Sequence, residues 1–200
     1  MAYYYLAAQL PYLSYGQAAP MSPDAYIKLC QEKLSKSDAE LLTLCSLDPV
    51  PLSSKDNEGD RSGLSYVEIP APCSSPLIDR WRLWERALRL NLARFRIQRI
   101  KRENSAAVEA PEDPADAAAV AKTAFAMESP LEAEIFLDEA RWKAIETFQG
   151  IDNFSRDMLY AYLLKLLILE RQSFFRVEDG FAEYKGLYAA VMDASAVSGS

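Results

Sequence analysis

Histidine is missing from all 200 residues. Its absence removes the commonest general base, the usual zinc ligand and every Ser-His or Cys-His dyad. Cysteine is scarce: Cys30, Cys45 and Cys73 stand far apart with no CxxC pair. That spacing argues against a zinc knuckle, a thioredoxin-like site and a disulfide framework. A reducing cytoplasm is the simplest setting, with each thiol a small buried hydrophobe. Only seven glycines occur, which disfavours turn-rich all-β architectures and favours helices. Long hydrophobic runs are absent too. The richest, "MLYAYLLKLLIL" (158–169), contains Lys165 and falls short of the roughly 20 residues a membrane span needs. No signal peptide is expected at the opening, where the first basic residue is Lys28 and Gln9 and Pro11 break any apolar core.

Phosphate cradles and the common catalytic patterns (G-x-x-x-x-G-K-[ST], G-x-G-x-x-G, H-E-x-x-H, G-x-S-x-G) and the EF-hand loop are likewise absent. The expectation is a non-enzymatic protein with no catalytic, cofactor-binding or metal-binding residue, no cofactor and no small-molecule substrate. A net charge of −7 argues against nucleic acid or an anionic membrane as partner.

What is present is helix punctuation. Ser22 can cap a helix with Pro23 at its first position, and Ser37 and Glu40 have capping-box spacing. Two short helices, 23–34 and 38–46, follow from this as a hairpin. Residues 47–75 are rich in Pro, Ser, Gly and Asp and read as a long loop. Within it "LSYVEI" (64–69) alternates like a short strand, for which "YYYLA" at the opening is a candidate partner. Leu77, Trp81, Trp84, Leu88, Leu92 and Phe95 recur at steps of four and three, which predicts a long amphipathic helix over 77–103. A weak helix near 115–127 precedes one that starts at Ser129-Pro130 and ends at Gly150, read as a left-handed terminator. Near-heptad spacing of Tyr162, Leu166, Leu169, Val177, Phe181, Tyr184, Tyr188 and Val191 predicts helix over 155–194, as one long helix or two hinged around 172–180, where Gly180 falls.

The fold class expected is mainly α: an elongated bundle of long, coiled-coil-like helices with a small irregular N-terminal lobe. Its parts are an N-terminal element and hairpin (1–47), a loop (48–76), a bundle (77–194) with an acidic insertion (104–128), and a frayed tail (195–200).

Charge is unevenly placed. Between 76 and 103 nine Lys and Arg oppose three acids, while 104–139 holds nine acids against Lys122 alone. Either the basic helix lies beside the acidic helix 130–149 and the charges pair internally, or Arg82, Arg86, Arg89 and Arg96 face outward to bind an acidic partner protein. Glu85 and Arg89 have i, i+4 spacing for a helix-surface pair. The carboxylates Glu132, Glu134, Asp138 and Glu139 read as a solvated acidic face.

Several short stretches together resemble a family of small bacterial proteins encoded among V-type ATP synthase subunits. They are "YYYLAAQLPYLSYG", with Tyr4, Leu10, Pro11, Leu13 and Ser14; "RWRLWERALRLNLARFR", with Trp81, Trp84, Glu85 and Arg89; "LDEARW", with Arg141 and Trp142; and "AYLLKLLILERQ". The resemblance implies an accessory or structural role in a rotary ATPase, in contact with its subunits and distantly similar to the helical C (or d) subunit. The implied location is cytoplasmic, peripheral at the inner face of the cell membrane through the partner complex. It implies mainly structural roles for the matching residues and no catalytic ones. A helical adaptor using the Arg-rich helix against some other acidic protein is the alternative.

Overall fold

The computed structural model describes residues 2–47, 71–100 and 116–175. They are mainly helical: α1 (Ala2–Gln9), α2 (Pro23–Lys33), α3 (Lys36–Leu41), α4 (Pro76–Ile100), α5 (Ala117–Ala126), α6 (Pro130–Gln149) and α7 (Arg156–Ser173). A 3-10 turn, Leu42–Leu44, continues α3. The candidate strand at 64–69, most of the loop, and the heptad positions from Val177 onward lie outside the described residues.

The tyrosine run is helical, so the strand considered for "YYYLA" is not what forms. Helical period sends Tyr3, Leu6 and Leu10 inward and leaves Tyr4 and Tyr5 60% and 61% exposed. The uncharged opening is therefore buried on one side only.

Caps fix most helix starts. Ser22 accepts from the Ala25 amide with Pro23 in the first turn, and Ser129 accepts from Glu132 with Pro130 behind it. Helix α3 is capped by Ser35, not Ser37: the Ser35 hydroxyl accepts from the Asp38 amide and donates to its carboxylate at 2.6 Å. Ser155 caps α7 in the same way, accepting from Met158. Gly150 ends α6 with φ 68° but ψ −153°, outside the left-handed helical region expected of it.

Two helices form the centre. The predicted stripe Leu77, Trp81, Trp84, Leu88 and Leu92 is buried, with Phe95 partly so. Ile78, Glu85, Ala87 and Asn91 are buried beside it, widening the contact face to about half of the helix at 100° per residue. The reason is three neighbours, since α4 packs against α5, α6 and α7. Residues 159–164 of α7 are buried without interruption, as a helix wrapped on all sides must be. Its surroundings are α1, α2, α4 and α6. Three hydroxyls tie it to the N-terminal helices and their connections. Tyr26 of α2 donates to the Leu159 carbonyl at 2.9 Å, Tyr160 to the Asp38 carbonyl at 3.1 Å, and Tyr162 to the Pro11 carbonyl at 3.0 Å. Burial pushes the Tyr162 hydroxyl up to about 12, which keeps it a donor at neutral pH.

Helix α5 falls in the segment read as a variable insertion, yet Ala117, Ala121 and Ala124 are buried in the main core. Alanine at steps of four and three lets its backbone approach α4 closely, and Phe125 stacks on Phe95 with centroids 5.7 Å apart.

Candidate functional site

Where α4, α6 and α7 meet, a chain of charged groups runs through the interior. Arg141 of α6 is 4% exposed and forks onto Glu85 of α4: Nε donates to Oε2 and Nη2 to Oε1, each at 3.1 Å. Its Nη1 donates to Asp138 one turn back at 2.9 Å. Glu85 also receives Arg89 Nε at 2.7 Å. From α7, Arg171 donates to Glu134 at 2.5 Å and brings its Nε within 3.6 Å of Asp138 Oδ2.

Glu85 and Asp138 are thus core residues, 6% and 0% exposed, which corrects the helix-surface pair and, at Asp138, the solvated acidic face; Glu132 is exposed and Glu134 and Glu139 are partly so. Arg89 is corrected as well. It faces inward, held by Glu85 and by the Leu47 carbonyl, to which Nη2 donates. The interhelical pairing inverts the charge pattern of the sequence. In this pair the basic helix contributes an acid and the acidic helix an arginine, because Glu85 and Arg141 lie on faces that meet.

Burial opposes the charge on Arg141, but Glu85 and Asp138 outweigh it and hold its pKa above the usual guanidinium value. Asp138 moves the other way for a carboxylate: burial pushes it up, against the pull of Arg171 and Arg141. The two directions are compatible. Arg141 meets two carboxylates, whereas Asp138 Oδ2 is buried with no hydrogen-bond donor.

Beside this network lies a cleft of about 760 Å3. Arg89, Arg96, Arg141 and Arg171 line it together with Glu134 and Glu170, and Leu47, Leu92, Leu137 and Leu167 supply apolar wall.

A third buried carboxylate, Asp38, joins α3 to α1 and α7. It accepts from Tyr3 at 2.6 Å, from Ser35 at 2.6 Å and from Arg156 at 3.3 Å. Burial alone would raise its pKa, but these hydrogen bonds hold the carboxyl below its ordinary range. Asp38 was not singled out by the sequence reading, and Asp138 was read only as part of a solvated face. The available signals were Ser35 three residues before Asp38, and an Asp-x-x-Arg step flanked by Leu137 and Trp142.

The remaining site expectations divide. Trp81 and Trp84 are buried and stacked at 5.9 Å, with Trp81 Nε1 donating to the Ser46 carbonyl. Trp142 donates to Glu146 at 2.9 Å beneath Lys165, whose Nζ lies 5.1 Å from the ring centre. Leu13 is buried, Leu10 and Ser14 are partly so, and Pro11 is exposed with its carbonyl engaged by Tyr162. Arg82 donates to the Ala71 carbonyl at 3.1 Å, Arg86 is half-buried, and Arg96 is exposed at the cleft. Tyr4 stacks on Phe154, centroids 4.3 Å apart, at a surface where Phe154 is 46% and Ile151 98% exposed.

Among the described residues no group of three or more Cys, Asp or Glu could hold a metal ion, and no helix is long and apolar enough to cross a membrane. No protein-family model, curated protein or solved structure matches the chain.

Proposed function

We propose that this chain is a non-enzymatic accessory or structural subunit that works by protein–protein contact, with subunits of a bacterial V-type ATP synthase as its partners. The observation that carries the contact reading is the aromatic surface at the start of α1 and the α6–α7 turn. Tyr4 and Phe154 stack there in the open beside Tyr5 and Ile151, and aromatic anchors of this kind dominate interface energetics. The partner class rests on the family resemblance of the tyrosine run, the Trp- and Arg-rich α4, and the segments in α6 and α7. The elongated, coiled-coil-like bundle belongs to the same proposal, as does a location at the inner membrane face through the partner. A 25-residue α4, about 37 Å long at 1.5 Å per residue, supports the elongated form.

Affinity purification of the chain at native level from its own cells, with mass spectrometry of what co-purifies, tests this. V-type ATP synthase subunits are the expected partners, depleted by Tyr4→Ala with Phe154→Ala. Recovery of no such subunit would overturn the partner assignment. Undiminished recovery with the double variant would overturn the surface.

The adaptor alternative, in which Arg82, Arg86, Arg89 and Arg96 grip an acidic protein, has less support. Arg89 is turned inward and Arg82 is bound to a backbone carbonyl, which leaves Arg96 as the best-placed member of that set.

A further inference from the structure

The cleft beside the buried network is separate from the Tyr4–Phe154 surface, and its volume lies inside the roughly 300–1,000 Å3 range of ligand pockets. Arg89, Arg96, Arg141 and Arg171 line it with Glu134 and Glu170. Glu85 and Asp138, which do not line it, pair with Arg89 and Arg141 and bring the acids to four. Most are already committed: Arg89 to Glu85, Arg141 to Glu85 and Asp138, and Arg171 to Glu134.

Two are not. Arg96 of α4 and the Glu170 carboxylate of α7 have no hydrogen-bond or ion-pair partner among the described residues, including each other. Leu92 and Leu137 supply apolar wall to the same cleft. An anion drawn by Arg96 would be opposed by Glu170 and Glu134, and a simple cation by Arg96. A ligand with one charge of each sign and an apolar centre satisfies the whole cleft.

We propose that this cleft binds a short mixed-charge peptide segment: an acidic group on Arg96, a basic group on Glu170, and apolar side chains between. A single amino acid would leave most of the volume empty, which favours a stretch of several residues. This rests on the contact reading above and gives the chemistry of a second contact.

The test uses the full chain and three labelled peptides, acetylated and amidated, titrated by fluorescence anisotropy: Glu-Leu-Leu-Lys, Glu-Leu-Leu-Glu and Lys-Leu-Leu-Lys. The mixed peptide should bind tightest. Arg96→Glu should weaken it by about fivefold, the scale of one partly exposed ion pair. The same variant should move the preference to Lys-Leu-Leu-Lys, because two carboxylates then face the ligand. Tightest binding of Glu-Leu-Leu-Glu to the wild type would mean a plain anion site and overturn the proposal. So would equal affinity for all three, no saturable binding at millimolar peptide, or an unchanged preference in a folded R96E. Such failure leaves the Tyr4–Phe154 contact standing, since that contact is read by co-purification with a different pair of variants.

Discussion

Replacing Arg141 by methionine removes the one side chain that joins Glu85 to Asp138, while keeping a long, flexible stem in the core. Breaking a buried ion pair by deleting one partner costs about 3–5 kcal/mol, because the charge left behind is desolvated and uncompensated. The two acids do not suffer equally. Glu85 keeps Arg89 at 2.7 Å, whereas Asp138 keeps only Arg171, at 3.6 Å and without a hydrogen bond. The cost should therefore fall at the lower end, about 3 kcal/mol, or a fall in Tm of about 6–12 °C for a chain of this size. The same asymmetry orders the rescues. Adding Asp138→Asn to R141M should recover more stability than adding Glu85→Gln. Urea unfolding followed by circular dichroism, with thermal melts alongside, reads both effects. A loss below about 1 kcal/mol at unchanged denaturant slope, or the opposite order of rescue, would refute the reasoning.

Ser35→Ala should cost about 1 kcal/mol as a lost cap, while Ser37→Ala should lie within about 0.5 kcal/mol of wild type; parallel urea melts separate them. Ala121→Leu should destabilise by about 1–3 kcal/mol through overpacking of the α4–α5 contact, and neutrality in the same melts would show that α5 is not packed there. Asp38, with its folded pKa held below the ordinary 3.8, supplies stability that is present above the unfolded value and lost as pH falls through the folded one. Asp38→Asn should thus be less stable than wild type at neutral pH and converge with it in acid, as followed by melts across that window. Asp138, raised instead, contributes stability below its unfolded value that is lost as pH rises through its folded one. Asp138→Asn should accordingly flatten that part of the profile.

The helices were legible where one face repeats and a cap precedes it. Leu77 to Leu92 gave the inner face of α4, and Ser22-Pro23 and Ser129-Pro130 gave two starts. Period alone did not show that α4 is buried beyond one stripe, because its three neighbours come from residues more than 15 positions away in sequence. The cap at Ser35 was missed because Ser37 matched the capping-box pattern two residues on. Ala-rich α5 looked weak because intrinsic signals carry no record of how closely alanine lets two backbones approach. The charged network was least legible of all. Counting charges per segment left internal pairing of basic α4 with acidic α6 and an outward arginine face both open, but pairing is decided by which single residues lie on facing sides, as Glu85 and Arg141 do.

The tyrosine hydroxyls that fasten α7 have a consequence for the order of assembly. Their bonds span 122 to 151 residues of chain, so the N-terminal helices cannot complete their packing until residues near 160 exist. At roughly 5–20 residues per second of synthesis, α2 waits on the order of 6–25 seconds with the α7 side of Tyr26 uncovered. During that interval the growing chain carries exposed aromatic surface of the kind that chaperones hold, and the late arrival of α7 is the event that closes it.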